Sequence, residues 1–228
     1  MAKVFIGVGH GGSDPGAVAN GFKEKDLNLS IALACRAELE RHGVIVLMSR
    51  TKDDSESLNE KINECNAFNP NLALDIHNNA GGGDGAEVYY HCGGGTGKVL
   101  ADNILAEVVK LGQNSRGAKV KLNPNGTDYF AFIRNTGAPS VLVECAFVDN
   151  KKDIQIIDTA AEQKAFGIAI AKGILKTLGI AYKAQSTPVK EETTGKIYRV
   201  QVGAYSVKAN AEAMMKKLKA AGYDAFIV

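Results

Sequence analysis

Four residues of this 228-residue chain combine types and positions that suit hydrolytic metal chemistry: His10, Glu24, His77 and Glu144. His10 lies in the glycine-rich stretch "GVGHGGSDPG", directly after the apolar run Val4 to Val8. His77 closes "LALDIH", Glu144 closes "SVLVE", and Glu24 stands just before the helix that follows the glycine loop. Two neutral imidazoles and one carboxylate are a suitable donor set for Zn²⁺, and three protein ligands leave one position for water. A further carboxylate outside the ligand shell can serve as general base. The same loop matches G-x-G-x-x-G through Gly7, Gly9 and Gly12, which is the dinucleotide fingerprint. In a dinucleotide-binding loop, however, the helix opens at the third glycine. Here Ser13, Asp14, Pro15 and Gly16 follow, and the helix is expected some ten residues late. The other glycine loop, "CGGGTGKV", fails as a P-loop, because Cys92 takes the first glycine position and Val99 replaces Ser/Thr. Histidines at strand ends also serve purely structural roles, so residue types alone leave the metal reading open.

Several elements must position these groups. Buried strands are expected at residues 3–8, 44–49, 72–77, 86–90 and 140–147, with a short one at 129–133. Helices are expected at 26–42, 57–67, 97–113 and 160–178. In the last of these, Phe166, Ala169, Ile170, Gly173 and Ile174 form one apolar stripe. The stretch 114–128 reads as polar and irregular. Continuous apolar strands alternating with helices predict an α/β fold: a mixed, mostly parallel twisted sheet with helices on both faces. Functional groups of such folds gather at the carboxyl ends of the strands.

Composition bounds the reading further. A net charge of +2 gives no pointer to nucleic acid. No run of about 20 apolar residues suggests a membrane span. The apolar run at the N-terminus is too short for a signal peptide, so synthesis in the cytoplasm is expected. Cys35, Cys65, Cys92 and Cys145 are widely spaced and read as free thiols. Composition shifts at Lys183: residues 183–196 read as a linker, and residues 197–228 as a small β-α-β piece. Its helix should place Ala211, Met214, Leu218 and Ala221 on one face.

"GHGGSDPGA", "KEKDLNL", "DIHNN" and "VECAFVDN", in this order and at these intervals, resemble the zinc-dependent N-acetylmuramoyl-L-alanine amidases of the type 3 family. The resemblance covers about residues 2–180, so the catalytic domain is expected to span 1–182. It implies His10, Glu24 and His77 as Zn²⁺ ligands and Glu144 as catalytic base. It implies hydrolysis of the amide between N-acetylmuramic acid and L-alanine of the stem peptide, with peptidoglycan as substrate. The chain differs from the family pattern at Asp75, where serine is common, and at Cys145-Ala146, where a small residue or glycine is usual. The tail "YRVQVGAYSVKANAEAMMKKLKAAGYDAFIV" is similar to the first half of a sporulation-related (SPOR) repeat, which implies glycan-strand binding. Action on the wall would follow release, by phage lysis or by mother-cell lysis. A non-catalytic wall-binding protein on the same fold is the rival expectation.

Further residues have two readings each. Arg134 either binds a substrate carbonyl or carboxylate, or forms a salt bridge that orients Glu144. Asn79 either holds a substrate carbonyl or serves a turn. His91 reads as a surface strand-end residue and His42 as a helix-terminal one. Lys216, Lys217 and Lys219 read as a solvated face that anionic wall polymer could use.

Overall fold

The computed structural model describes residues 1–184, 201–223 and 225–227. The chain divides into two compact units, Met1–Ala184 and Gln185–Val228. In the first unit, β1 (Lys3–Val8) leads through the small hairpin β2 (Val18–Ala19) and β3 (Phe22–Lys23) into α1 (Glu24–Arg41). Then come β4 (Ile45–Met48), α2 (Leu58–Phe68), β5 (Leu72–Asn79), β6 (Ala86–Tyr90) and α3 (Gly95–Val108), which tightens into a 3₁₀ turn. β7 (Ser115–Lys119), α4 (Ala131–Asn135), β8 (Ser140–Phe147), α5 (Lys151–Ile154) and α6 (Ala160–Thr177) complete the unit. Ser57 and Thr159 start α2 and α6 through capping boxes with Glu60 and Glu162, each satisfying backbone donors that the first turn leaves free.

The six-stranded sheet runs β4-β1-β5-β8-β6-β7. Its pairs are parallel except β6 against β8. Strand alternation decides which side chains face which layer. Val4, Ile6, Leu74, Ile76, Val141 and Val143 belong to the larger core, with α1, α3 and α6. Phe5 and Ala73 pack on the opposite face against Ile62, Cys65 and Phe132 of α2 and α4. Phe5 and Phe132 stack with ring centroids 6.2 Å apart. Full burial of each such ring contributes roughly 1.5–3 kcal/mol. The same alternation sends Asp75, His77 and Glu144 to the α2/α4 face. There His77 and Glu144 are direct register partners.

Three sequence expectations are corrected. Residues 115–119, expected to be irregular, form edge strand β7. "YFAFI", expected as a strand, contributes to helix α4, which presents Phe132 and Ile133 to the core. In the tail, α7 (Lys208–Ala220) forms as expected, with Ala211, Met214 and Leu218 half-buried and Ala221 exposed. No strand flanks it among the described residues 201–223 and 225–227, so the β-α-β reading of this piece is not realised there. Residues 185–196 of the expected linker lie outside the described residues. Among the described residues, no helix is long and apolar enough to cross a membrane.

Candidate metal centre

The glycine loop owes its shape to the residues behind it. A Cβ on Gly9 would stand 2.3 Å from the His77 ring, and one on Gly7 would stand 2.6 Å from Asp75 Oδ1. These two glycines let β5 side chains lie against β1, and no phosphate is needed to explain them. His10 follows with φ 59°, a left-handed conformation that costs a non-glycine residue roughly 1 kcal/mol or more. The turn is held by Gly9 N–H donating to the Ile76 carbonyl at 2.9 Å.

Glu24 is the first residue of α1, so the helix starts two residues earlier than its expected bound. Its carboxylate folds back into the site. Oε2 accepts from Ala17 N at 3.0 Å; Oε1 accepts from Asn78 N at 3.1 Å and Asn28 Nδ2 at 3.3 Å. His10 Nε2 lies 3.1 Å from Oε2, and His77 Nδ1 lies 3.0 Å from Oε1. The two rings meet edge to face at 5.1 Å, and the donor atoms of His10, Glu24 and His77 all lie within 4.8 Å of one another.

The far ring nitrogens also have carboxylate neighbours. His10 Nδ1 lies 2.7 Å from Asp14 Oδ2, and His77 Nε2 lies 3.5 Å from Asp75 Oδ2. Protons held at those outer positions leave His10 Nε2 and His77 Nδ1 free to donate lone pairs inward. A second trio, His91, Cys92 and Asp128, is equally close but lacks this arrangement. His91 Nδ1 accepts from Gly93 N at 2.9 Å, so its proton sits on Nε2, which faces Asp128 at 3.2 Å.

Charge coupling in the first site is strong. Burial alone would raise the Glu24 carboxyl, but hydrogen bonds from both histidines hold it well below the usual range. Burial would lower the His77 imidazole, yet the charge of Asp75 and bonds to Asp75 and Glu24 push it up to about 10. The hydrogen bond to Glu24 also raises His10. Without metal, protons therefore hold the site together, and a divalent cation fits the place they occupy.

Glu144 sits beside this trio on β8. Burial pushes its carboxyl up to about 7, against the charge of His77, which favours ionisation. Its Oε2 is buried with no hydrogen-bond partner among the described residues. Across the strand pair, Glu87 faces Glu144. Glu87 is neutralised by Arg116 and Lys119 at 2.7 and 2.6 Å and accepts from Tyr89 Oη. These bonds offset its burial and hold it at about 2. Two neighbouring carboxyl groups thus differ: one paired and ionised, the other raised by burial.

Arg134 is exposed on α4, and its Nη1 donates to the Asp128 and Tyr129 carbonyls. It forms no ion pair with Glu144, so the orienting reading of this arginine is corrected. Asn79 serves local structure, donating from Nδ2 to Glu87 Oε1 at 2.9 Å and accepting Val148 N at its carbonyl. His42 ends α1, its Nδ1 on the Glu38 carbonyl at 2.8 Å. Lys216, Lys217 and Lys219 are exposed. Sequence reasoning missed Asp14, Asn28, Asn78 and Glu87. Asn28 was the findable one, since it follows Glu24 by four residues on a helix.

The mostly parallel α/β sheet carries at its carboxyl edge a His/Glu group that could hold a metal ion, with a buried carboxyl beside it, an arrangement suited to hydrolytic chemistry. Residues 4–176 match the sequence model of the N-acetylmuramoyl-L-alanine amidase family, and residues 170–228 match that of the SPOR domain. The chain is 37% identical over 232 residues to N-acetylmuramoyl-L-alanine amidase CwlM of Bacillus licheniformis, covering 100% of this chain and 85% of that protein. The sporulation-specific N-acetylmuramoyl-L-alanine amidase of Bacillus subtilis (strain 168) gives the same identity and coverage. The catalytic domain of CwlV from Bacillus (Paenibacillus) polymyxa var. colistinus superposes with a TM-score of 0.72 at 27% identity, over 79% of this chain and 100% of that one. The chain belongs to the N-acetylmuramoyl-L-alanine amidase family, and it is a peptidoglycan-hydrolysing enzyme.

Proposed function

We propose that the metal is Zn²⁺, held by His10 Nε2, Glu24 and His77 Nδ1, and that Glu144 is the general base. The observation that carries this reading is the convergence of two imidazole nitrogens on one buried carboxylate, with an unpaired carboxyl on the neighbouring strand. When bound, Zn²⁺ polarises the scissile carbonyl and lowers the pKa of water from ~15.7 toward ~7. Glu144 accepts the proton of the attacking water and delivers it to the departing alanine nitrogen. Burial raises the proton affinity of Glu144, which suits a group that must take a proton and then return it. Glu87, fixed as an anion by Arg116 and Lys119, raises the proton affinity of Glu144. Arg134 contributes a second donor to the substrate carbonyl from its exposed position on α4.

We further assign residues 1–182 to catalysis, 183–196 to a linker and 197–228 to wall attachment through glycan strands, with lysis after release as the setting. The family match to a SPOR domain supports attachment. The complete donor set with its free carboxyl favours catalysis over a purely wall-binding role. Chelation followed by zinc addition tests the reading. Hydrolysis of a soluble muramoyl-peptide, read as newly freed alanine amino groups, should stop and then return. Hydrolysis undiminished by complete metal removal would refute it.

A further inference from the structure

Both candidate histidine ligands carry a carboxylate behind the ring, but the two carboxylates differ. Asp14, behind His10, has 64% of its side chain in solvent. Asp75, behind His77, is 2% exposed. A lone carboxylate at that depth is costly without a partner. The partner comes from α2. Lys61 is itself 5% exposed, and its Nζ lies 3.0 Å from Asp75 Oδ1 and 3.2 Å from Oδ2. The same ammonium donates to the Val8 carbonyl at 3.2 Å, which ties it to the end of β1.

Asp75 and His77 project from the same face of β5, two residues apart. Gly7 leaves room for the carboxylate and Gly9 for the ring. Gly9 packs against the His77 ring, Glu24 Oε1 lies 3.0 Å from Nδ1, and the Asp75 carboxylate faces Nε2 at 3.5 Å. Each of these buried charges is the counter-ion of the other, so the lysine and the aspartate function as one unit.

We propose that Lys61 and Asp75 form a positioning pair for the metal. Lys61 neutralises and orients Asp75, and Asp75 fixes the proton of His77 on Nε2. Nδ1 is thereby turned inward, with its lone pair beside Glu24. The inference rests on the zinc reading above. It adds that this chain orients one ligand through a buried ion pair reaching to α2.

Zinc affinity, measured by competition with a chromophoric chelator, tests the pair alongside chemical unfolding of the metal-free protein. Three variants are compared with the wild type: Asp75→Ala, Lys61→Met/Asp75→Ala and Lys61→Met/Asp75→Asn. Loss of an outer-shell partner lowers metal affinity roughly 10–100-fold, and Asp75→Ala should fall in that range. Lys61→Met/Asp75→Ala removes the stranded buried ammonium, so its unfolding midpoint should recover while its zinc affinity stays low. Lys61→Met/Asp75→Asn restores a neutral acceptor for His77 Nε2–H and should regain most of the affinity. A purely structural pair would behave differently: affinity would return with stability in Lys61→Met/Asp75→Ala, and the asparagine variant would bind no tighter. Either result overturns the proposal. Absence of any zinc site in the wild type would instead refute the metal reading on which it stands.

Discussion

Glu144→Gln keeps the size of the side chain but removes its ability to take a proton. The carboxyl stands at about 7 in the folded protein against an ordinary value of 4.5. This is an acid whose folded value is raised, so ionising it destabilises the fold. The penalty begins as pH rises past 4.5 and is complete above about 7. The difference corresponds to about 3 kcal/mol. Metal-free Glu144→Gln should therefore be more stable than the wild type at pH 8 by up to about 3 kcal/mol, with the advantage gone near pH 4. Its hydrolytic rate should fall by roughly 10²–10⁴, or about 3–5 kcal/mol of barrier. Zinc content should be unchanged, because Glu144 is not assigned as a ligand. Urea unfolding at the two pH values and turnover of a soluble muramoyl-peptide check both halves. Full activity would remove Glu144 from the mechanism. Loss of zinc from a folded variant would make it a ligand and refute the assignment of roles.

Gly9→Ala places a methyl 2.3 Å from the His77 ring, so the ring must swing out. Zinc affinity and activity should both drop, with roughly 1–3 kcal/mol lost in thermal unfolding as for other overpacked sites. Zinc uptake near pH 7 should release about one proton from His77, which stands at about 10 without metal, and indicator absorbance in weak buffer measures it. Because His77 is raised, its contribution to metal-free stability is full below 6.5 and is lost as pH rises through about 10; unfolding midpoints across that range should decline. Removal of residues 185–228 should leave soluble-substrate hydrolysis unchanged and weaken binding to whole walls, since a tethered module raises local concentration.

The strands that carry the site were legible because they are buried on both faces. "SVLVECAF" is apolar apart from Ser140 and Glu144, and its expected bounds, like those of "AEVYY", coincide with the observed strands, β8 and β6. β7 was not legible. Its sequence, Ser-Arg-Gly-Ala-Lys, lies at the sheet edge, where one side faces solvent and apolar residues are not required. The aromatic run at 129–133 was misread because five residues are too few to separate a helical period from an alternating one. The four candidate site residues could be singled out because strand ends and a glycine loop mark them. Asp75 was visible only as a departure from a family pattern. Its role depends on Lys61, fourteen positions earlier on a different element, and no local spacing announces that contact.

The central claim is that one zinc ion is held by His10, Glu24 and His77. Metal analysis of purified wild type and His77→Ala after extensive dialysis tests it most directly. The account predicts about one zinc per wild-type chain and essentially none in the folded variant, with hydrolysis lost in parallel. Full lytic activity in wild-type protein that carries no metal, or undiminished zinc in His77→Ala, would contradict it.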